Sequence, residues 1–287
     1  MENTTMYMLE ETSAFMMSFV IVTKKGNAIV VDGGRPLDMP LLKKYVGGRH
    51  ISAWILTHAH NDHISGFVDE MEKNGCADFD IEKVYYNFPP YHALKGRTDV
   101  PDATYFDAEL EEMMPAFLRI EPLLGERAHV VTQGETLRVD ECELEFLFTY
   151  HDGLFSNLMN DASLVFTLKT PNKKVLFLGD LGPEAGDVLM DESRGKLKAD
   201  IVQMAHHGHM NVSMEIYAEV LPEACLWCAP DWLYHEPEIP TYLENRAKLR
   251  ATRRARMYGV GMTRKWMALL GAKTHYVTAN GTQTILL

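Results

Sequence analysis

The sequence predicts an α/β fold in which strands and helices alternate and pack in layers. β-Branched and aromatic residues at 19–22 and 28–31 indicate two antiparallel strands, with a hairpin turn expected at 24–27 between them. Apolar residues at helical spacing in 37–47 stop at a pair of glycines, and a short buried strand at 54–56 follows. This order of strand, strand, helix and strand is typical of layered α/β proteins.

The remaining elements continue the alternation along the chain. A helix is expected at 66–74 and a strand at 81–86. A longer helix is predicted at 104–124, with a break at Pro115 because proline lacks the amide hydrogen that a helix interior needs. Further strands are predicted at 129–132, 142–148, 164–168, 175–180, 200–205 and 224–229. We expect one domain over residues 1–287, with a variable insertion around residues 87–129.

Composition limits the classes of partner. The chain has 28 Lys and Arg against 40 Asp and Glu, which gives a formal net charge of −12. The average surface therefore repels a long nucleic acid, whereas a small anionic substrate at a cationic site is compatible with this charge. No apolar run approaches about 18 residues and no basic leader precedes the first apolar segment, so neither a membrane span nor a signal peptide is expected. The sequence leaves open whether the chain forms a homo-oligomer.

The cysteines favour a reducing compartment. The four cysteines are too few and too irregularly spaced for a disulfide framework, which predicts a cytoplasmic protein. Cys225 and Cys228 match the C-x-x-C spacing of redox pairs. They fall on a predicted strand, however, where an odd offset points two side chains to opposite faces. We therefore expect them to be core residues.

A cluster of metal-ligand residues follows the strand at 54–56. It consists of His58, His60, Asp62 and His63. The first two can point from the strand end toward one place, and the last two open the next turn of chain. Neutral imidazoles and a carboxylate suit zinc, and two pairs of ligands are enough to begin two metal positions. The alternative is a loop that is histidine-rich by chance, but only 12 of the 287 residues are histidine.

Two later strand ends carry further candidate ligands. Asp180 ends an apolar strand beside a glycine, where a buried carboxylate is costly unless a cation meets it. A position between two metal ions would satisfy it; the alternative is an N-cap for the following helix. His206 and His207 follow the strand at 200–205 directly. We expect one of them to be a metal ligand and the other to lie beside it, and the sequence does not decide between them.

The pattern His58-x-His60-x-Asp62-His63 resembles the metal-binding motif of the metallo-β-lactamase superfamily. This resemblance implies an αββα sandwich, in which two mixed β-sheets are flanked by helices. It also implies that Asp32-Gly33-Gly34 supports the metal loop through hydrogen bonds, and that Asp180 bridges two ions. The order of the segments 160–166, 178–180 and 205–208 is similar to one branch of the superfamily. That branch contains the nuclease-like domain of competence proteins and the phosphorylcholine esterases, and the tail at 269–282 resembles its closing helix and hairpin.

The sequence departs from the superfamily at one metal-binding position. Many members have a histidine in a G-H-T-x-G-S element before the strand that begins near Ser163, whereas Asn160 and Asp161 stand there in this chain. His151, nine residues before Asn160, is a candidate substitute. The branch also usually has serine where His209 follows Gly208. We therefore assign Asn160, His151 and His209 as candidate substrate contacts.

The predicted function is metal-dependent hydrolysis. Two divalent cations are expected, zinc first, with manganese or iron also compatible; they would supply a hydroxide for attack on a phosphoester, or more specifically a phosphodiester. Asp62 and Asp180 are the candidate catalytic residues. A hydrolase acting on a lactone or thioester and a non-catalytic metal-binding or sensing protein are the alternatives. Basic residues in the last helical region would suit an anionic substrate or, equally, a solvated helix face; they are Arg246, Lys248, Arg250, Arg253, Arg254, Arg256, Arg264 and Lys265.

Overall fold

The computed structural model describes residues 2–91, 103–152, 158–236 and 259–287, and the side chains of 103–111 are not described. The strands in these ranges are β1 Thr5–Met8, β2 Ser18–Val22, β3 Ala28–Asp32, β4 His50–Ile55, β5 Asp80–Ile81, β6 Val84–Tyr86, β7 Ala128–Val130, β8 Thr136–Val139, β9 Cys142–Phe148, β10 Val165–Lys169, β11 Lys174–Phe177, β12 Ile201–Gln203, β13 Ala224–Trp227, β14 Thr274–Val277 and β15 Gln283–Leu286. The helices are α1 Met39–Val46, α2 Asn61–Asn74, α3 Ala103–Leu124, α4 Leu158–Asp161, α5 Pro183–Ser193, α6 Met214–Val220, α7 Asp231–Tyr234 and α8 Val260–Leu270.

The strands form two mixed sheets. The first has the order β15-β1-β2-β3-β4-β6-β7, with β5 also paired to β4, and the second has the order β14-β13-β12-β11-β10-β9-β8. Each sheet contains antiparallel hairpins and, next to them, parallel strands. The parallel pairing begins with β3 and β4 in the first sheet and with β11 and β12 in the second. The carboxyl ends of these parallel strands, which carry the predicted ligands, therefore lie at one edge of each sheet.

Three apolar cores separate four layers. Alternation along the strands sends Val30 and Trp54 toward α1, α2 and α3, and sends Val31 and Ile55 toward the second sheet. The core between the sheets includes Phe19 stacked edge-on against Phe177 at 5.2 Å. A third core lies between the second sheet and α5, α6 and α8. This arrangement confirms the predicted αββα sandwich.

Cys225 and Cys228 are both buried and free, one in the core beneath the outer helices and the other in the core between the sheets. The prediction that they are core residues on opposite faces is confirmed. Within the described ranges, every helix is too short or too polar to cross a lipid bilayer.

Two details of the predicted elements are wrong. Helix α3 continues through Pro115 instead of breaking there. Its face containing Phe117 and Ile120 is buried against the first sheet, and that packing offsets the one hydrogen bond that proline removes. The tail strands β14 and β15 do not pair as a hairpin: β14 lies parallel to β13 in the second sheet, and β15 lies antiparallel to β1 in the first.

Candidate metal centre

The first histidine cluster lies between β4 and α2. The chain from His58 to His60 belongs to neither a strand nor a helix, and His60, with an extended backbone, is the N-cap residue of α2. Asp62 and His63 fall in the first turn of this helix, so their side chains leave the backbone close to the end of β4. The polypeptide therefore presents all four predicted ligands within one short segment, as the spacing suggested.

The structure brings this segment together with residues from two distant strand ends. One group of possible ligand atoms comprises Asp62, His63, Asp180 and His207, and a second comprises His58, His60 and Asp180; within each group the atoms lie within 4.8 Å of one another and every residue is buried. Asp180 Oδ2 is 3.3 Å from His63 Nε2 and 3.8 Å from His58 Nε2. Asp180 thus belongs to both groups.

The residues fit a pair of divalent cations. Nitrogen and carboxylate oxygen donors are the set that zinc prefers, and a shared carboxylate allows two ions to be held side by side. Among the described residues, His58 Nε2 and Asp180 Oδ1 are buried without a hydrogen-bond partner. Buried polar atoms of a folded protein are rarely left in this state, and a cation would satisfy both.

The electrostatics of the cluster also favour positive charge. Burial alone would lower the pKa of His63, but the carboxylates of Asp180, Asp62 and Asp32 raise it well above its usual value. Burial likewise opposes protonation of His207, yet Asp180 and Asp62 raise its pKa to about 9. The acidic groups therefore favour a positive charge among the imidazoles. A metal ion could supply that charge in place of the protons on His63 and His207.

Asp32, in the predicted supporting element, holds the metal loop. Its Oδ2 accepts hydrogen bonds from Thr57 Oγ1 at 2.7 Å and from His63 Nδ1 at 2.8 Å, and its Oδ1 accepts the Thr57 N–H at 2.7 Å. The N–H groups of Gly33 and Gly34 both donate to the carbonyl oxygen of His63. Because Asp32 accepts a hydrogen bond from Nδ1–H of His63, the Nε2 atom of that imidazole is directed at the ligand cluster.

A tight turn positions Asp180. Gly179 has φ +55°, and a Cβ at this residue would lie 2.8 Å from the side chain of Ser163. Ser163 Oγ accepts the N–H of Asp180 at 2.9 Å. The alternative role of Asp180 as a helix N-cap is wrong, because α5 begins with Gly182 as its N-cap and has no side-chain cap.

His206 and His207 lie in a strained turn. Their φ angles are +49° and +55°, and Gly208 continues the left-handed backbone with φ +95°. His207 Nδ1 donates to the carbonyl oxygen of Cys228 at 2.7 Å, and its Nε2 lies 3.0 Å from Asp62 Oδ2. The turn thus places His207 within the first ligand group, whereas His206 lies outside both groups.

His206 meets Asn160 on the other side of Asp180. Its Nε2 is 3.3 Å from Asn160 Nδ2 and 3.9 Å from Asp180 Oδ2. Burial lowers the pKa of His206 to about 4, so its imidazole is neutral near pH 7. His209 is half-buried and its ring lies 4.4 Å from that of His206. Asn160, His206 and His209 therefore line the side of the cluster near Asp180.

His151 does not reach the cluster, contrary to the suggestion that it substitutes for the missing histidine. Its ring stacks on Phe148 with centroids 4.8 Å apart, and its Nε2 lies 3.0 Å from Gln133 Oε1 and 3.5 Å from a Glu192 oxygen. These contacts hold the imidazole away from the metal ligands.

Of the basic residues near the C-terminus, Arg246 to Arg256 lie outside the described residues; Arg264 packs over Tyr234.

The glycine of the strained turn should be indispensable to it. A Cβ at Gly208 would lie 2.6 Å from the ring of Trp227, and φ +95° is unfavourable for alanine. We expect Gly208→Ala to lower the free energy of unfolding by about 2 kcal/mol and to weaken metal binding. Urea denaturation and metal analysis measure both effects. Gly195→Ala is the control, because a Cβ there meets no atom within 4 Å; equal stability of the two variants would contradict the expectation.

Comparison with known proteins places this arrangement in a family. The sequence profile of the metallo-β-lactamase superfamily matches residues 16–221, which include all the candidate ligands. A search of curated proteins found no matching sequence.

Solved structures resemble this chain, and YhfI and CmlA do so with TM-scores above 0.5. The metallo-β-lactamase fold protein YhfI from Bacillus subtilis is 13% identical with a TM-score of 0.57, covering 98% of this chain and 100% of that one. CmlA, a diiron β-hydroxylase from Streptomyces venezuelae, is 13% identical with a TM-score of 0.54, covering 99% of this chain and 54% of that one. The metallo hydrolase Igni18 from Ignicoccus hospitalis is 16% identical with a TM-score of 0.46, and 98% of each chain is covered. Since the superfamily profile covers well over half of the sequence, the chain belongs to the metallo-β-lactamase superfamily.

Proposed function

We propose that this chain is a hydrolase with two metal ions that cleaves a phosphoester, most specifically a phosphodiester. The observation that carries the proposal is the position of Asp180, which belongs to both groups of buried ligand atoms. A single carboxylate shared by two sets of imidazoles suits a pair of cations better than it suits one. The segments 160–166, 178–180 and 205–208 support assignment to the branch with the competence-protein nuclease-like domain and the phosphorylcholine esterases.

The chain's own residues divide into two ligand sets and a supporting shell. His58, His60 and Asp180 would hold one ion, and Asp62, His63, Asp180 and His207 would hold the other. When bound, such ions lower the pKa of coordinated water and neutralise charge on a phosphoryl oxygen. Asp62 Oδ2 lies 3.0 Å from His207 Nε2, so these two atoms are close enough to hold the same ion, and the Asp62 carboxylate would also orient the water.

Asn160 and His206 are proposed as phosphoryl contacts. They lie next to Asp180 on the side of the ligand set that contains only three residues, where the superfamily's additional histidine is replaced. The Nδ2 group of Asn160 carries two hydrogens, so it can donate one hydrogen bond to an anionic oxygen while the other faces His206 Nε2. His209, packed on the ring of His206, would border the same side.

Zinc is the proposed metal, and iron is the principal alternative. All six candidate ligands are imidazoles or carboxylates, which zinc and iron both accept. The similar fold of CmlA belongs to a protein described as a diiron β-hydroxylase, so iron content has to be measured alongside zinc. We further propose a single domain, a small anionic substrate and a cytoplasmic location. The four buried free cysteines agree with a reducing compartment.

A panel of substrates tests the proposed reaction. The purified protein is assayed with bis(4-nitrophenyl) phosphate, 4-nitrophenyl phosphate, a lactone and a thioester, before and after removal of metal by a chelator. We expect turnover of a phosphoester that chelation abolishes and added zinc restores. Preferential turnover of the lactone or thioester would replace the proposal by the acyl-hydrolase alternative, and metal binding with no turnover of any substrate would favour the non-catalytic one.

A further inference from the structure

We propose that Phe15, Arg35 and Trp232 form a substrate subsite beside the metal centre, hereafter the aromatic wall. This inference rests on the proposed function and deepens it by naming the kind of phosphoester. The subsite would accept a flat aromatic group of the substrate on Trp232 and Phe15, while Arg35 faces its negative charge.

Phe15 touches the metal centre directly. Its ring meets the imidazole of His207 edge-on, with centroids 4.9 Å apart. The neighbouring segment is fixed to the metal loop, because the N–H of Met17 donates to the carbonyl oxygen of Asp62 at 3.1 Å. Phe15 is itself only half-buried, so part of its ring remains accessible next to a candidate ligand.

Trp232 extends this apolar surface outward. It lies in α7, which starts three residues after Cys228, the residue whose carbonyl oxygen accepts the Nδ1 proton of His207. The Trp232 ring is 6.2 Å from the Phe15 ring at an angle of 64°, and the residue is 66% exposed. Single exposed apolar residues are common on protein surfaces and need no explanation. A large exposed aromatic ring beside a polar site, in contrast, indicates a binding surface, because ligands often stack on aromatic faces.

Arg35 adds a positive charge to the wall. Its guanidinium carbon lies 5.8 Å from the centroid of the Phe15 ring, a cation–π distance that orients the group. Its Nε is buried without a hydrogen-bond partner, and among the described residues no carboxylate forms an ion pair with this side chain. Because the chain has a net charge of −12, a cation without an acidic partner near the metal centre is suited to an anionic ligand.

The three residues come from three separate segments at the same edge of the sandwich. Phe15 precedes β2, Arg35 follows β3, and Trp232 follows β13. Since the metal ligands follow β4, β11 and β12 at that edge, a substrate bound at the metals would extend toward the wall. The combination of an aromatic surface and a guanidinium selects a phosphoester that bears an aromatic group over one that bears a small alkyl group.

Binding of non-hydrolysable phosphonates tests the wall without relying on turnover. Calorimetry compares 4-nitrophenylphosphonate with methylphosphonate on the metal-loaded protein. We expect the aromatic phosphonate to bind about tenfold more tightly, as stacking on an aromatic face typically provides. It should also quench the fluorescence of Trp232, because the other three tryptophans, Trp54, Trp227 and Trp266, are at most 7% exposed.

Two variants separate the contributions. Trp232→Leu should remove the preference for the aromatic phosphonate and the quenching, whereas Leu269→Ala, which alters another exposed apolar residue, should change neither. Arg35→Gln should weaken both phosphonates about tenfold, with Arg138→Gln, an exposed arginine on β8, as its control. Equal affinity of the two phosphonates for the wild type, a preference that survives Trp232→Leu, or no binding of either phosphonate would overturn the proposal.

The same measurements distinguish this inference from the proposed reaction. A preference for the aromatic phosphonate in a protein that hydrolyses no phosphoester would support the wall and reject the reaction. Hydrolysis of a phosphoester by a protein with no preference between the two phosphonates would reject the wall and leave the reaction standing.

Discussion

Replacement of Asp180 by alanine is expected to reduce kcat/KM by about a thousandfold or more and to lower the metal content of the protein. Asp180 Oδ2 lies within 4 Å of Nε2 of His58, His63 and His207, so the substitution removes the one carboxylate common to both ligand groups. It also removes one of the negative charges that offset a cation among these buried imidazoles. Steady-state kinetics on the best phosphoester and metal analysis of the purified variant measure the two effects.

Asp200→Ala is the matched control for Asp180→Ala. Asp200 precedes β12, at the opposite end of that strand from His206, and accepts the N–H of Lys174 at 2.7 Å. The Asp200→Ala variant loses a carboxylate and its hydrogen bond at a place far from the ligand groups. Its metal content should therefore match that of the wild type. Unchanged turnover and metal content in Asp180→Ala would contradict the shared-ligand arrangement.

The second large effect is expected for Asp32→Asn, which should lower the free energy of unfolding by about 3 to 5 kcal/mol. The fully buried carboxylate accepts hydrogen bonds from Thr57 and His63. In asparagine an NH2 group replaces one of the two oxygens, so a hydrogen-bond donor would face at least one of these donors. Asparagine tolerates the left-handed backbone at φ +53°, so the substitution changes the charge and the hydrogen bonding while keeping the shape. Urea denaturation of the metal-free protein isolates this contribution from any loss of metal.

Asp140→Asn provides a close comparison for Asp32→Asn. Asp140 also has a left-handed backbone, with φ +55°, and accepts hydrogen bonds from Thr23 and Asn27, but it pairs with the exposed Lys25 on a surface turn. Its replacement should change stability by less than about 1 kcal/mol. Similar losses in the two variants would show that burial of the Asp32 network does not contribute as described.

Much of the fold was predictable because its signals are local. The first five residues of β9 alternate between buried and half-buried, and each candidate ligand lies within eight residues of the end of a strand. His58, His60 and Asp180 could be identified for that reason before their partners in space were known. The closeness of β14 and β15 in the sequence predicts a hairpin, whereas the two strands lie in different sheets.

The details that were not predictable depend on backbone angles and on contacts between distant segments. His207, and not His206, belongs to a candidate ligand group because of a turn with three consecutive left-handed residues, which no periodicity reveals. His151 was a reasonable candidate by distance along the chain, yet stacking on Phe148 decides its position. The aromatic wall joins residues 15, 35 and 232, and nothing in their local sequence indicates that they meet.

The most direct test of the two-metal centre is the number of ions bound per chain. The wild-type protein is stripped of metal, titrated with zinc while binding is followed by calorimetry, and analysed for bound metal after removal of excess ion. We predict two equivalents of zinc per wild-type chain, with occupancy of both positions reduced in Asp180→Ala. One equivalent or none in the wild type would contradict the account.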